Sequence, residues 1–253
     1  MLLAIDIGNT NIVFGLHDGA QWTHHWRVQT VRERMPDEHA VFFRNFLNQA
    51  GLDLGDIEQT VLSSVVPQLT RGLAGMVEQH TGHPPVIVSA KVNTGIQVLT
   101  EQPERVGSDL IANAVAAYER VQGNCIVVDF GTATTFTAVE QPGILRGVAI
   151  SAGLSTVVDA LVRRTAQLPY VELVPPAHAI GRNTVEAMQA GLVLGHLAMV
   201  EGMVVRIKRE LGGATVIATG GLSNVLGQHT DCFDAVDQWL TLDGLRLIGE
   251  RNR

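Results

Sequence analysis

Two stretches half a chain apart read alike. Ala4 to Leu16 is AIDIGNTNIVFGL and Val127 to Val139 is VVDFGTATTFTAV. Laid over one another, Asp6 falls on Asp129, Gly8 on Gly131 and Asn11 on Thr134. Each reads as an apolar strand ending in Asp-x-Gly, a turn of small hydroxyl or amide residues, and a return strand. The flanks also match, so the repeat predicts a duplicated α/β domain. The expected fold is two related lobes of mixed sheet and helix, residues 1–117 and 118–253, with a cleft between them. No low-complexity linker separates the halves.

The rest of the chain fits that frame. In the first half, strands are expected over 2–5, 11–16, 22–28, 60–65 and 85–88, and helices over 37–50, 69–80 and 109–120. The last of these has Ile111, Ala114, Val115 and Tyr118 at helical spacing. In the second half, the pattern predicts strands at 125–128, 147–150 and 215–218, with helices over 154–165 and 184–211.

Composition narrows the function. With 46% hydrophobic and 17% charged residues the chain is globular. Its formal net charge of −7 excludes a general nucleic-acid backbone binder, which needs Lys and Arg to neutralise phosphates. A nucleotide site survives that test, because a few backbone N–H groups suffice. Cys125 and Cys232 give no disulfide framework, and Cys125 sits in an apolar run as a buried thiol would. The N-terminus lacks a basic region, so it does not read as a signal peptide. The apolar run 190–205 is broken by His196 and Glu201 and reads as too short and polar to span a bilayer. The expectation is a cytoplasmic protein with no membrane or nucleic-acid partner. His80 and His83 have ligand-like spacing, but nothing nearby completes a zinc set. His24 and His25 read as a surface strand pair.

Three motifs carry chemistry. In DIGNTN (6–11), a tight turn lets backbone N–H groups converge on phosphate oxygens, and Asp6 at the strand end suits Mg²⁺ directly or through water. The bland reading is a plain hairpin turn. DFGTATTF (129–136) repeats the device on the second lobe, so that two hairpins would grip phosphates from either side. TGGLSN (219–224) puts a Gly-Gly turn after a strand, where backbone can approach a flat ring or simply enter a helix. Neither a P-loop nor a dinucleotide-binding fingerprint is present. Asp109, at a predicted helix start after Gly107-Ser108, reads either as an N-cap or as a proton acceptor.

Paired phosphate hairpins with a Gly-Gly turn resemble the actin, hexokinase and Hsp70 ATPase superfamily, whose lobes are ribonuclease-H-like. Within it, the chain resembles the type III pantothenate kinases over essentially its whole length. The matching stretches are DIGNTN, SSVVPQLT (63–70), VGSD followed by ANAVAA, VVDFGTATTF, GRNTVEAMQAG (181–191), ATGG and the C-terminal LTLDGLRLIGERN. The resemblance implies ATP-dependent phosphorylation of pantothenate to 4′-phosphopantothenate, by a homodimer whose pocket lies near the dimer interface. It implies that Asp6, Ile7, Gly8, Asn9, Thr10, Asn11, Ile12 and Val13 bind ATP together with Thr132, with Asp6 near Mg²⁺. Asp109 would be the general base. Thr100, Gly107, Ser108, Leu110 and Thr184 would line the pantothenate pocket. Asp129 would hold a monovalent cation, K⁺ or NH₄⁺.

Three positions depart from the family pattern. Leu110 stands where the family has Arg, Thr100 where many members have Tyr, and Ala152 where a Pro is usual. Losing a charge-assisted hydrogen bond costs about 1.5–3 kcal/mol, so Arg105 and Arg182 are candidates to supply the missing charge. The departures leave two alternatives: a ligand-binding regulator without turnover, or a kinase for another small alcohol.

Overall fold

The computed structural model describes residues 1–253. Its contacts divide the chain into two compact units, Met1–Ala116 with Leu240–Arg253, and Ala117–Trp239. The division in mid-chain falls beside the one expected from the repeat. The C-terminal helix differs: the sequence assigned it to the second lobe, and it belongs to the first unit.

The first unit's elements begin with β1 (Leu2–Ile7), β2 (Asn11–His17), β3 (Trp22–Gln29), α1 (Pro36–Gln49), β4 (Gln59–Ser64) and α2 (Pro67–Thr81). They continue through β5 (Val86–Ile87), a short β6 (Gln97–Val98) and α3 (Ser108–Val121), whose residues from Ala117 onward fall in the second unit. The second unit holds β7 (Cys125–Phe130), β8 (Ala133–Glu140), β9 (Ile144–Ala152), α4 (Leu154–Arg164), α5 (Thr184–Gln189) and α6 (Gly195–Glu210). It closes with β10 (Thr215–Gly220), α7 (Ser223–Gly227) and β11 (Ala235–Val236). Helix α8 (Leu240–Arg251) follows.

In the first unit the strand order is β3-β2-β1-β4-β5, and in the second β9-β8-β7-β10-β11. Over its own five strands each unit thus runs third, second, first, fourth, fifth. In each, the first three strands form an antiparallel meander and the last two run parallel to the first. That shared order is the physical form of the sequence repeat, with one correction. The last ladder pairs are Ile7↔Ile12 and Phe130↔Thr134. The second turn is therefore one residue shorter, and the structural counterpart of Asn11 is Ala133 instead of Thr134.

Burial fixes the register. Along β1, Leu3, Ile5 and Ile7 join Phe43 and Leu47 of α1 and Leu69 and Leu73 of α2. The alternate residues Leu2 and Ala4 join Ile111 and Val115 of α3 and Leu242, Leu245 and Ile248 of α8. A one-residue slip would exchange these faces, so the apolar pattern leaves a single pairing. The same cluster explains why α8 belongs to the first unit: its apolar stripe is needed to cover β1 and β4. In the second unit, Ile126, Val128 and Phe130 of β7 pack with Val193, Leu197, Val200 and Val204.

Residues 184–210 form one continuous helical run with a π-helical turn at Ala190–Leu194. An 18-residue window of it has mean hydropathy 1.5, enough by length and composition to cross a membrane, a test that the core helix of a soluble protein also passes. Its buried side is a principal part of the second unit's core. His24 and His25 also differ from the surface pair expected. Both are half-buried, His24 stacking on Trp26 at 5.3 Å and His25 lying 5.8 Å from Trp22.

Candidate active site

In the first unit, β1 and β4 run parallel and end side by side, with Asp6 in register with Ser63 and Ile7 with Ser64. Across the hairpin, Asp6 opposes Val13. The Gly8 N–H donates to the Asn11 carbonyl at 3.0 Å and closes the turn. Thr30, just past β3, seals it from the side. Its N–H donates to the Thr10 carbonyl at 2.9 Å and its hydroxyl to the Gly8 carbonyl at 2.7 Å. Asn9, Thr10 and Asn11 are exposed, Asp6, Gly8 and Val13 are half-buried, and Ile7 and Ile12 are in the core. Of the residues expected to bind ATP, Ile7 and Ile12 can therefore offer only backbone.

The start of α3 is tied to those same strand ends. The Ser64 N–H donates to the Ser108 hydroxyl at 2.8 Å, and that hydroxyl donates to the Ser64 carbonyl at 3.1 Å. Ser63 Oγ lies 3.0 Å from Ser108 Oγ, and both residues are buried. The Ser108 hydroxyl, expected to line the acceptor pocket, is thus engaged inside the protein. What it does is fix the helix start next to the strand that pairs with Asp6.

Asp109 follows directly. The N-cap is Gly107, whose carbonyl accepts from the Ile111 N–H at 3.1 Å, and Asp109 sits in the first turn. Its Oδ1 accepts the Leu110 N–H at 2.8 Å, satisfying one of the orphan donors of a helix start. Burial raises its pKa above the ordinary 3.8, and the bond from Leu110 opposes that rise. No protein group donates to Oδ2. A desolvated carboxylate with one free oxygen is a group suited to accepting a proton. The N-cap reading of Asp109 does not hold, because Gly107 is the cap; from inside the first turn Asp109 still serves the helix start with one oxygen.

Leu110 is buried, 8% exposed, so no charge comes from that position. Arg105 lies exposed in a turn two residues before Gly107. Thr100 is half-buried, and its Oγ1 is enclosed without a hydrogen-bond partner. An orphaned hydroxyl of this kind carries a desolvation cost unless something outside the chain meets it.

In the second unit, Asp129 ends β7 between Thr135 on β8 and Thr219 on β10. The Gly131 N–H donates to the Ala133 carbonyl at 3.0 Å. The Thr132 carbonyl accepts from the Gly153 N–H at 3.1 Å and from the Thr156 hydroxyl at 2.7 Å. Gly220, at φ +91, packs directly on Asp129 Oδ1 and the Phe130 backbone, where a Cβ has no room. The Gly-Gly turn is thus a close backbone approach to Asp129. Thr132 itself is exposed.

Thr184 lies elsewhere in this unit, at the start of α5. Asn183 caps that helix by accepting the Glu186 N–H at 2.9 Å, while Glu186 accepts the Arg182 N–H at 2.8 Å. Arg182 and Thr184 line a cavity of about 570 Å³ with Leu161, Leu168, Met188 and Leu192. Neither Arg105 nor Arg182 is in an ion pair.

Sequence reasoning missed Thr30, Gly153 and Thr156, which seal the two turns, and the Ser63–Ser108 contact. The repeat could have pointed to Thr30 and Gly153, since both directly follow the third strand. Nothing local distinguishes Thr156 or Ser63.

Two units with the same meander-plus-parallel sheet, each bearing an acidic hairpin at the end of its first strand, define the actin/hexokinase-like ATPase fold. Solved structures agree on the fold. A putative N-acetylglucosamine kinase from Porphyromonas gingivalis superposes with TM-score 0.52 at 10% identity, covering 100% of both chains. A conserved putative Baf family transcriptional activator from Campylobacter jejuni does so with TM-score 0.52 at 17% identity, over 99% of this chain and 97% of that one. Sequence comparison is more specific. Residues 2–206 match the type III pantothenate kinase family. A type III pantothenate kinase from Moorella thermoacetica is 48% identical over 100% of both chains. One from Myxococcus xanthus is 44% identical over 100% of this chain and 99% of the relative. The chain belongs to the type III pantothenate kinase family, a family of enzymes.

Proposed function

We infer that this chain transfers the terminal phosphoryl group of ATP to the hydroxyl of pantothenate, giving 4′-phosphopantothenate for coenzyme A synthesis. The observation that carries the reading is Asp109. It is a carboxylate raised by burial, with Oδ2 free, fixed to the strand ends that bear the Asp6 hairpin. Phosphoryl transfer asks mainly for positioning and charge neutralisation. Asp109 would orient the acceptor hydroxyl and take its proton as the bond to phosphorus forms.

The hairpin from Asp6 to Val13 would hold phosphate oxygens through its exposed turn, and Thr132 would act likewise in the second unit. The half-buried Asp6 carboxylate fits Mg²⁺ held through water, which would neutralise phosphate charge. Asp129 would hold K⁺ or NH₄⁺. Thr100, with its orphaned hydroxyl, and Thr184, in its cavity, would contact pantothenate along with Gly107 and Leu110, while the Ser108 hydroxyl holds the segment in place. Arg182, free of ion pairs on the cavity wall, is the better candidate to replace the charge missing at Leu110. We assign the chain to the cytoplasm as a homodimer.

The test is a coupled assay for ADP and phosphorylated product with ATP, Mg²⁺, K⁺ and pantothenate. Asp109→Asn should lower kcat about 10²–10⁴-fold, the usual worth of a general base. The acidic limb of wild-type kcat/KM should titrate above 3.8. Because burial raises the folded pKa, the ionised carboxylate destabilises the fold once pH exceeds the ordinary value. Asp109→Asn should therefore melt higher than wild type at pH 7 and lose that advantage as pH drops toward 3.8. Turnover of the Asn variant near wild-type rates would end the assignment.

A further inference from the structure

We propose that Arg251 and Asn252, at the C-terminus, are positioning residues for the acceptor side of the site, acting through the loop at 93–95. The proposal rests on the acceptor reading above, in which Thr100, Gly107 and Asp109 meet the alcohol.

The Asn252 side-chain amide pairs with Asn93 as a neighbouring strand would. Its Oδ1 accepts the Asn93 N–H at 3.2 Å and its Nδ2 donates to the Asn93 carbonyl at 2.8 Å. The same Nδ2 donates to the Ile248 carbonyl at 2.8 Å, anchoring the clamp on α8. In return, Asn93 Nδ2 donates to the Arg251 carbonyl at 3.2 Å. Arg251 Nη1 donates to the Thr94 carbonyl at 2.9 Å, and its guanidinium lies against Gly95, where a side chain would displace it.

Ordering these long polar side chains costs entropy. Here Arg253 donates to Gln59 of β4 at 3.3 Å, while Arg251 and Asn252 are bonded to the loop at 93–95 and so hold its position. The segment that begins there holds a two-residue strand at Gln97–Val98, hydrogen-bonded at the edge of a sheet, and a turn at Pro103–Arg105. Its far end is fixed by Ser108 on β4. Between those two anchors lie Thr100, with its unpartnered hydroxyl, and Gly107, with Asp109 just past the second. Helix α8 is a firm base for the first anchor, because Leu242, Leu245 and Ile248 are buried against β1 and β4. Loosening the anchor at 93–95 should leave the acceptor segment held only by the short strand at Gln97–Val98 and by Ser108, while the Asp6 hairpin keeps its own bond from Thr30.

The experiment compares full-length wild type with Asn252→Ala and Arg251→Ala. The clamp predicts a pantothenate KM raised about tenfold, with the ATP KM within about twofold of wild type. Amide hydrogen exchange should accelerate over 92–100 and stay unchanged over 6–13. Equal changes in both KM values, or a lower melting temperature with no kinetic change, would mean that the tail merely seals the fold and would overturn the proposal. Exchange also separates the two levels of inference. Wild type inactive on pantothenate, with exchange still faster over 92–100 in the variants, sinks the functional reading and keeps the clamp. Unchanged exchange over 92–100 sinks the clamp whatever the activity.

Discussion

In both units the residue after the third strand donates its backbone N–H to the hairpin turn beside it. Thr30 donates to the Thr10 carbonyl at 2.9 Å, and Gly153 to the Thr132 carbonyl at 3.1 Å. Register makes these the same bond, since Gln29 pairs with Asn11 and Ala152 with Ala133. The side chains then diverge. Thr30 uses its hydroxyl to reach the Gly8 carbonyl. At 153 there is no space for any side chain, because the Gly131 and Thr132 carbonyls are in contact, and the hydroxyl comes from Thr156 in α4. The shorter second turn draws its carbonyls in toward the strand end. Duplication preserved the backbone lock, and each unit found its own hydroxyl for the second bond.

That comparison is most easily broken at Gly153. Gly153→Ala forces a Cβ into two backbone carbonyls that cannot rotate aside. Overpacking of this sort costs about 1–3 kcal/mol, or several degrees of melting temperature in a chain of this size. The displaced turn should also weaken ATP, raising its KM above that for pantothenate. Thr30→Gly, at the equivalent position, should cost less and leave the backbone lock in place. If thermal melts rank Thr30→Gly below Gly153→Ala in stability, the two turns are not packed as described.

The buried histidines extend the contrast to the cores. His39 of α1 is 1% exposed with neither ring nitrogen bonded, whereas His196 lies 3.0 Å from the Thr134 hydroxyl. Burial lowers both pKa values from 6.5, and Arg34 adds to the effect at His39. His39→Leu should stabilise by about 1–2 kcal/mol by removing unsatisfied polar atoms, and His196→Leu should destabilise by a similar amount by stranding Thr134. The pH dependence has the same sign at both sites. Each wild-type histidine contributes its full stability above 6.5 and loses it as pH falls toward the lowered folded value. Scanning fluorimetry from pH 7 to 5 should therefore widen the His39→Leu advantage and shrink the His196→Leu deficit. A destabilised His39→Leu would mean that His39 has a partner.

The contrast also marks where sequence reasoning stops. The duplicated hairpins were legible because they depend on local chemistry: an apolar strand, an acidic end, a turn of small residues. The expected strands and helices fall close to the observed elements for the same reason. The one-residue slip between the turns was not legible, since Asn-Thr-Asn and Thr-Ala-Thr suit turns of either length and only the ladder counts residues. The membership of helix α8 in the first unit is not legible locally, because its partners Leu2 and Val61 lie far from it in sequence. In the site, Asp109 was found by type and place. Its free Oδ2 and the Ser63–Ser108 contact join residues far apart in sequence, and no local pattern encodes them.

The smallest effect offers the finest test of the two hydroxyl bonds. The Thr30 bond to Gly8 is partly buried, so Thr30→Ala should cost about 1 kcal/mol. The Thr156 bond to Thr132 is exposed, and water can replace it, so Thr156→Ala should cost about 0.5 kcal/mol or less. Equilibrium urea unfolding at fixed pH resolves that difference if both variants keep the wild-type slope. The double variant should equal the sum of the singles, because the two bonds have different donors and different acceptors. A coupling above about 0.5 kcal/mol would mean that the two turns sense one another, and that the hairpins cannot be treated as independently sealed.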